Sequence, residues 1–221
     1  MAQDFRVDLR AVVELLARHV YSSPRVYVRE LLQNGVDAAT ARRQLDPDAP
    51  NGPIRLRPSD VDADGALVVT DPGIGLTVDE VHELLATIGG SSKRDALDLP
   101  REGFLGRFGI GLLSCFVVAA EIEVTSRSAT GASAVRFVGR DDGTYDVREL
   151  ADDAPELADL PDGGIGTCVR LRPRPGMASW TEAGTVEHLT RTFGSVLPVP
   201  VLVDRPDGST VGTTDPDAPW L

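Results

Sequence analysis

Apolar residues recur at helical spacing near the start of the chain. Leu9, Val12, Val13, Leu15, Leu16 and Val20 predict a helix over residues 8–20, with Asp8 as its cap. Ser22-Ser23-Pro24 follows, a serine cap with proline at the first helical position, so a second helix is expected over residues 24–44. At 1.5 Å per residue it would be roughly 30 Å long. Breaker residues at 46–53 (DPDAPNGP) end it. Short apolar runs predict strands at 54–57 and 67–70, and Thr77-Val78-Asp79-Glu80 is a capping box opening a helix to about residue 85. Residues 87–106 carry glycine and charge without a period. The near-continuous apolar run 110–120 predicts a buried helix. Strands of antiparallel character are expected at 122–126, 134–138, 145–147 and 167–171, then a helix at 181–193 and a strand at 198–203. The class is α/β.

Composition narrows the chemistry. The chain has 221 residues, enough for one large domain, and a formal charge of −12 from 34 acids and 22 bases. That balance disfavours nucleic acid as a partner, because the phosphate term needs clustered cations. Of the 22 bases, 21 are arginine and only Lys93 is a lysine. Lys93 stands in Ser-Lys-Arg, which excludes a Walker A loop. Cys115 and Cys168 sit in apolar runs and are expected as reduced core thiols. No apolar stretch reaches membrane-spanning length and residues 1–6 form no signal sequence, so a cytoplasmic protein without membrane association is expected. Residues 141–162 hold nine acids and one arginine, as expected of an acidic hairpin and loop facing water. Residues 204–221 have the composition of a linker, which puts the domain at 1–203.

Three segments carry candidate chemistry. Glu30, Asn34, Asp37 and Ala38 fall on one stripe of the second predicted helix, among packed apolar neighbours. A polar stripe on a buried helix is costly unless something satisfies it; on a surface helix the same stripe would only be solvated. Asp71-Pro72-Gly73-Ile74-Gly75 follows a strand and suits either a buried acceptor with backbone close to a flat ligand or an ordinary turn. A dinucleotide site is disfavoured, since Leu76, Thr77 and Val78 follow Gly75 and the third glycine of the fingerprint is missing. Gly103-Phe-Leu-Gly106-Arg-Phe-Gly109-Ile-Gly111 feeds an apolar helix, as a phosphate cradle or a glycine hinge would.

Taken together and in this order, Glu-x-x-x-Asn-x-x-Asp-Ala, Asp-x-Gly-x-Gly and Gly-x-x-Gly-x-Gly resemble the GHKL ATPase superfamily. Within it, residues 16–38 and 108–118 are most similar to the ninety-kilodalton heat-shock chaperones of bacterial HtpG type. The resemblance runs from about residue 5 to 203 and covers that family's N-terminal nucleotide-binding domain. It implies the Bergerat fold, a two-layer α/β sandwich whose mostly antiparallel sheet is covered on one face by helices.

The resemblance also implies roles. ATP and ADP with Mg²⁺ are the expected ligands. Glu30 would be the general base and Asn34 the Mg²⁺ ligand, with Asp37 and Ala38 beside them. Asp71 would accept the adenine amino group, Thr167 would support it through a water, and Gly75, Leu76 and Leu84 would line the base. Gly106, Arg107, Phe108, Gly109, Ile110, Gly111 and Leu112 would wrap the phosphates, and residues 87–105 would form a lid. Departures stand out: the usual lysines near Gly90 and Ala41 are lost, and Pro72, Leu76 and Leu112 replace the common threonine, methionine and aromatic residue. The resemblance implies an ATP-hydrolysing chaperone domain, weak and monomeric in isolation, dimeric in the full-length protein, where client proteins bind through other domains. The alternatives are a nucleotide-gated interaction module with little hydrolysis, and a mismatch-repair or topoisomerase type of the same superfamily. A sensor histidine kinase is disfavoured, because only His19 precedes Glu30 and no room remains for a dimerising bundle.

Overall fold

A computed structural model describes residues 23–89, 108–161 and 164–215. The long helix α1 (Val26–Leu45) opens it, followed by β1 (Ile54–Arg57), β2 (Leu67–Asp71) and α2 (Val78–Gly89). Helix α3 (Phe108–Leu113) runs into a 3₁₀ turn at Ser114–Val117. Strands β3 (Ala119–Arg127), β4 (Ala134–Arg140), β5 (Tyr145–Leu150) and β6 (Gly166–Pro173) come next. Helix α4 (Ala183–Gly194), β7 (Val201–Asp204) and β8 (Thr210–Gly212) complete the order. The eight strands among the described residues form one sheet, β5-β4-β3-β6-β2-β1-β7-β8. Every pairing is antiparallel except β1 with β7. This is the sandwich expected, with its helices on one face.

Strand alternation makes the two layers. Ile54, Leu56, Leu67, Val69, Ile122, Val124, Val135, Phe137, Val169 and Leu171 join the core shared with α1 and α4. Tyr27, Val28, Leu31 and Leu32 supply the matching stripe of α1. Tyr27 is fully buried, and its hydroxyl donates to the Trp180 carbonyl at 2.6 Å, which ties α1 to the turn before α4. Gly35 is explained by close approach. A Cβ there would come within 2.7 Å of Ile54 Cδ1, so alanine would require the fully buried Ile54 side chain to shift. Overpacking of this kind typically costs about 1–3 kcal/mol, more than the helix gains from alanine.

Several expectations shift. Helix α1 begins at Val26, two residues later than Pro24 predicts, and has no side-chain cap; Ser23 Oγ accepts from Arg25 N–H instead. The capping box holds as predicted: Glu80 Oε2 accepts from Thr77 N–H at 2.7 Å and Thr77 Oγ1 from Glu80 N–H at 3.2 Å. The buried helix predicted over 110–120 is a correction. It ends in a 3₁₀ turn by Val117, and Ala119 already pairs with Pro173, because sheet pairing satisfies this stretch better than another turn would. The linker predicted from Asp204 is also corrected in part. Thr210–Gly212 pairs with β7, Thr214 Oγ1 accepts from Val201 N–H at 2.8 Å, and Asp215 N–H donates to Ser195. The polar composition of 204–215 reflects an edge strand and its turn. The helix predicted over 8–20 lies outside the described residues.

Candidate functional site

Sheet register lays a floor. Val69, Val169, Val124 and Phe137 are successive cross-strand partners on β2, β6, β3 and β4, forming an apolar row on the helix-facing side. Two residues along each strand the same face carries Asp71, Thr167 and Ser126, again in register. Above this floor stand Leu31 and Asn34 of α1, Val81 of α2 and Leu112 of α3. Ile54 and Leu76 complete the lining. Asn34, Asp71 and Thr167 are the polar residues of this lining. The cleft is an apolar slot with one polar end.

Asp71 terminates β2 at that end. Gly73 N–H donates to Oδ1 at 3.0 Å; among the described residues no other hydrogen bond holds the carboxyl, which lines the cleft. Burial pushes it up from 3.8 to about 7, the Gly73 N–H opposing the shift. The loop after it is strapped on both sides. Ile74 N–H donates to the Ala38 carbonyl at 3.0 Å, Ala129 N–H donates to the Ile74 carbonyl at 2.8 Å, and Arg42 donates to the Gly73 carbonyl at 3.3 Å. Gly75 has φ +71°, and a Cβ there would stand 2.0 Å from the Arg127 carbonyl oxygen, so only glycine closes this loop against the sheet.

Helix α1 supplies the rest. Asn34 is 9% exposed, faces the cleft, and among the described residues has no side-chain hydrogen bond. One turn earlier, Glu30 Oε1 accepts from Arg29 Nη2 at 2.7 Å. Its other oxygen, Oε2, lies where a Cβ on Gly111 would come within 2.8 Å. Glu30 therefore sits against the start of α3, and its charge, after burial, helps push the Cys115 thiol upward. Both cysteines are buried free thiols, as expected, and burial pushes Cys168 up to about 12.

The structure brings Asn34, Asp71, Leu76, Leu112 and Thr167 to one cleft, with Glu30 and Gly111 in contact beside it. Asp37 is instead engaged by Gln33 Nε2 at 2.9 Å and does not line the cleft. Ala38 acts through its carbonyl on Ile74 and packs against Gly73. Phe108, Gly109 and Ile110 form the first turn of α3. Gly106, Arg107, most of the predicted lid and the Leu84 side chain lie outside the described residues. Sequence reasoning missed the apolar row and Ser126. Their signal is the two-residue period leading to Asp71 and Thr167, which acquires meaning only once register is known.

A flat apolar slot ending in a carboxylate suits an aromatic ring that carries a hydrogen-bond donor. Among the described residues no three His, Cys, Asp or Glu side chains converge as a metal cluster, and no helix is long and apolar enough to cross a membrane. Residues 21–164 match the family described as histidine kinase-, DNA gyrase B-, and HSP90-like ATPase. The chain is 32% identical over 98% of its length to chaperone protein HtpG of Rhizobium etli, and 31% identical over 93% to that of Streptomyces coelicolor. It is 28% identical over 91% to HtpG of Mycobacterium tuberculosis. The chain spans about a third of the length of these relatives, 35%, 34% and 32% respectively.

Proposed function

The chain belongs to the histidine kinase-, DNA gyrase B- and HSP90-like ATPase family, and from that premise we propose that its cleft binds ATP and ADP through the adenine ring and hydrolyses ATP with Mg²⁺. The observation that carries this reading is Asp71, lining the end of an apolar slot with a carboxyl that, among the described residues, only Gly73 N–H engages. An exocyclic amine can donate to it while the ring packs between the Val69–Phe137 row and Leu31, Val81 and Leu112. Thr167 adds a hydroxyl beside the carboxylate.

The catalytic roles follow from α1. The Asn34 carboxamide, without a hydrogen-bond partner among the described residues, fits a Mg²⁺ ion, which keeps several waters and needs few protein ligands. When bound, Mg²⁺ neutralises phosphate charge. Glu30 orients and deprotonates the attacking water, and its contact with Gly111 puts it against the glycine segment that receives the phosphates. Arg29 holds Glu30 Oε1, which leaves Oε2, on the Gly111 side, to take the proton. The second reading, a nucleotide-gated module with little hydrolysis, is favoured by the same ion pair, which already occupies one oxygen of the base. By likeness to the HtpG relatives, we assign the domain to a dimeric cytoplasmic chaperone that acts on client proteins.

Asp71→Asn tests the carrying observation. In the parent chain, ADP at 100 times its Kd adds about 2.7 kcal/mol of stability. A folded Asp71→Asn variant is expected to lose calorimetric ADP binding, since it presents an amide donor to the amine. Unchanged affinity in that variant would remove the adenine assignment.

A further inference from the structure

Ser126 is fully buried on β3, in the same row as Asp71 and Thr167, and three polar groups converge on its hydroxyl. Leu76 N–H donates to Oγ at 2.8 Å. The Gly166 carbonyl oxygen lies 2.9 Å away and the Thr167 hydroxyl 3.0 Å away. A serine hydroxyl has one proton and two lone pairs. The amide can only donate and the carbonyl can only accept, so the Ser126 proton goes to Gly166. Its lone pairs then receive Leu76 N–H and Thr167 O–H. The opposite assignment leaves two oxygens 2.9 Å apart with no proton between them at a fully buried side chain. Thr167 therefore spends its only proton inside the wall, and lone pairs remain for the cleft.

We propose that Ser126 is a positioning residue that fixes Thr167 as an acceptor. The polar end of the cleft then admits a purine with an amino group at its six position and rejects one with a carbonyl there. The proposal rests on the adenine reading of Asp71 and sharpens it into a selectivity mechanism. Asp71 alone is a leaky filter, because a carboxyl titrating near neutrality can also donate to a carbonyl in its acid form. The hydroxyl of Thr167, opposite Asp71 across β2 and β6, has a polarity that does not change with pH. Two neighbouring acceptors present the six-substituent with lone pairs only, which a carbonyl meets with repulsion. The same serine joins Leu76, at the end of the adenine loop, to the start of β6, so the spacing of the two walls and their polarity are set by one side chain.

The test is calorimetric titration of the 221-residue chain with ADP and with IDP at pH 8. The parent is expected to prefer ADP. Ser126→Ala frees the Thr167 proton to point into the cleft, and the preference for ADP over IDP narrows roughly tenfold, about the worth of one neutral hydrogen bond. Adding Thr167→Val removes the new donor and reverses the gain of IDP, whereas Ser126→Thr, which keeps a hydroxyl, retains the parent preference. A role in packing alone would weaken both nucleotides equally. If Ser126→Ala does not fold, Ser126→Cys, a weaker donor and acceptor, is expected to narrow the preference in the same direction. Parent protein that binds neither nucleotide overturns the adenine reading and this proposal with it. Parent ADP binding that Asp71→Asn abolishes, with a preference unchanged in folded Ser126→Ala or Ser126→Cys, overturns the proposal alone.

Discussion

The two faces of the sheet solve different problems with the same strands. On the helix side, Val69, Val124, Phe137 and Val169 are apolar and the polar groups Asp71, Ser126 and Thr167 are gathered at one end. On the other side, the alternate positions of the same strands carry arginines and acids that pair across the sheet. Arg170 donates to Asp159 at 2.7 Å and to Asp62 at 3.0 Å, and Arg57 reaches the same two carboxylates. Arg136 pairs with Glu123 at 2.6 Å and Arg172 with Glu121 at 3.1 Å. Beneath this lattice Ala66, Val68, Leu160 and Cys168 form a small second core. One face leaves Asp71 and Thr167 lining the cleft, with Ser126 closed behind them; the other closes its charged groups on each other. The preference for arginine over lysine fits the second face, where a planar fork bridges two carboxylates at once.

The largest expected effect tests the open face. In single-turnover measurements at high protein concentration, Glu30→Ala should lower ATP hydrolysis by about 10²–10⁴-fold and leave ADP affinity intact. Hydrolysis at the parent rate would place the base elsewhere.

Breaking the closed face should do the reverse. Arg170→Met leaves Asp62, whose side chain is 5% exposed, with Arg57 as its one cationic partner among the described residues, beside the Asp64 and Ala66 N–H groups that also donate to it. Stranding a buried charge completely costs roughly 3–5 kcal/mol; with one partner kept, about 2–3 kcal/mol is expected. In a domain of this size that lowers Tm by roughly 5–10 °C, while ADP affinity below the transition stays the same. Arg172→Ala, on a half-exposed pair, should change stability by less than ~1 kcal/mol. Equal losses from the two arginines would erase the distinction between buried and exposed parts of the lattice.

A smaller effect, set by pH, separates binding from stability within the open face. The Asp71 pKa is raised in the fold, so its contribution to stability is complete below 3.8 and is lost as pH rises through about 7. ADP binding needs the carboxylate and runs the opposite way. Affinity should strengthen by up to about tenfold per pH unit below 7 and level off above it. Denaturation of the unliganded chain between pH 4 and 7 checks the first half, since Asp71→Asn should remove that slope. A flat ADP affinity from pH 6 to 8 would show that Asp71 does not titrate in the site.

The sequence alone determined most of the elements and the identity of the polar anchors. Local rules suffice where a signal is carried by neighbours in the chain: the capping box at Thr77 and Glu80, the strand at Ile54–Arg57, and the helical stripe bearing Glu30 and Asn34. Tertiary structure decided everything that depends on which residues become neighbours from afar. The apolar run after Ile110 gives up its helix because Ala119 finds Pro173, and the polar stretch after Asp204 gives up its linker character because Thr210–Gly212 finds β7. The acids of 141–162, expected to face water, are in part held by Arg57, Arg127, Arg140, Arg148, Arg170 and Arg174. Gly35, a costly residue inside a helix, lies where α1 comes closest to Ile54, nineteen positions away. Ser126 is an ordinary strand serine until register sets it between Leu76, Gly166 and Thr167. A side chain's chemistry is written in its own residue, but the direction of its proton is fixed by partners that only the folded sheet brings within 3 Å.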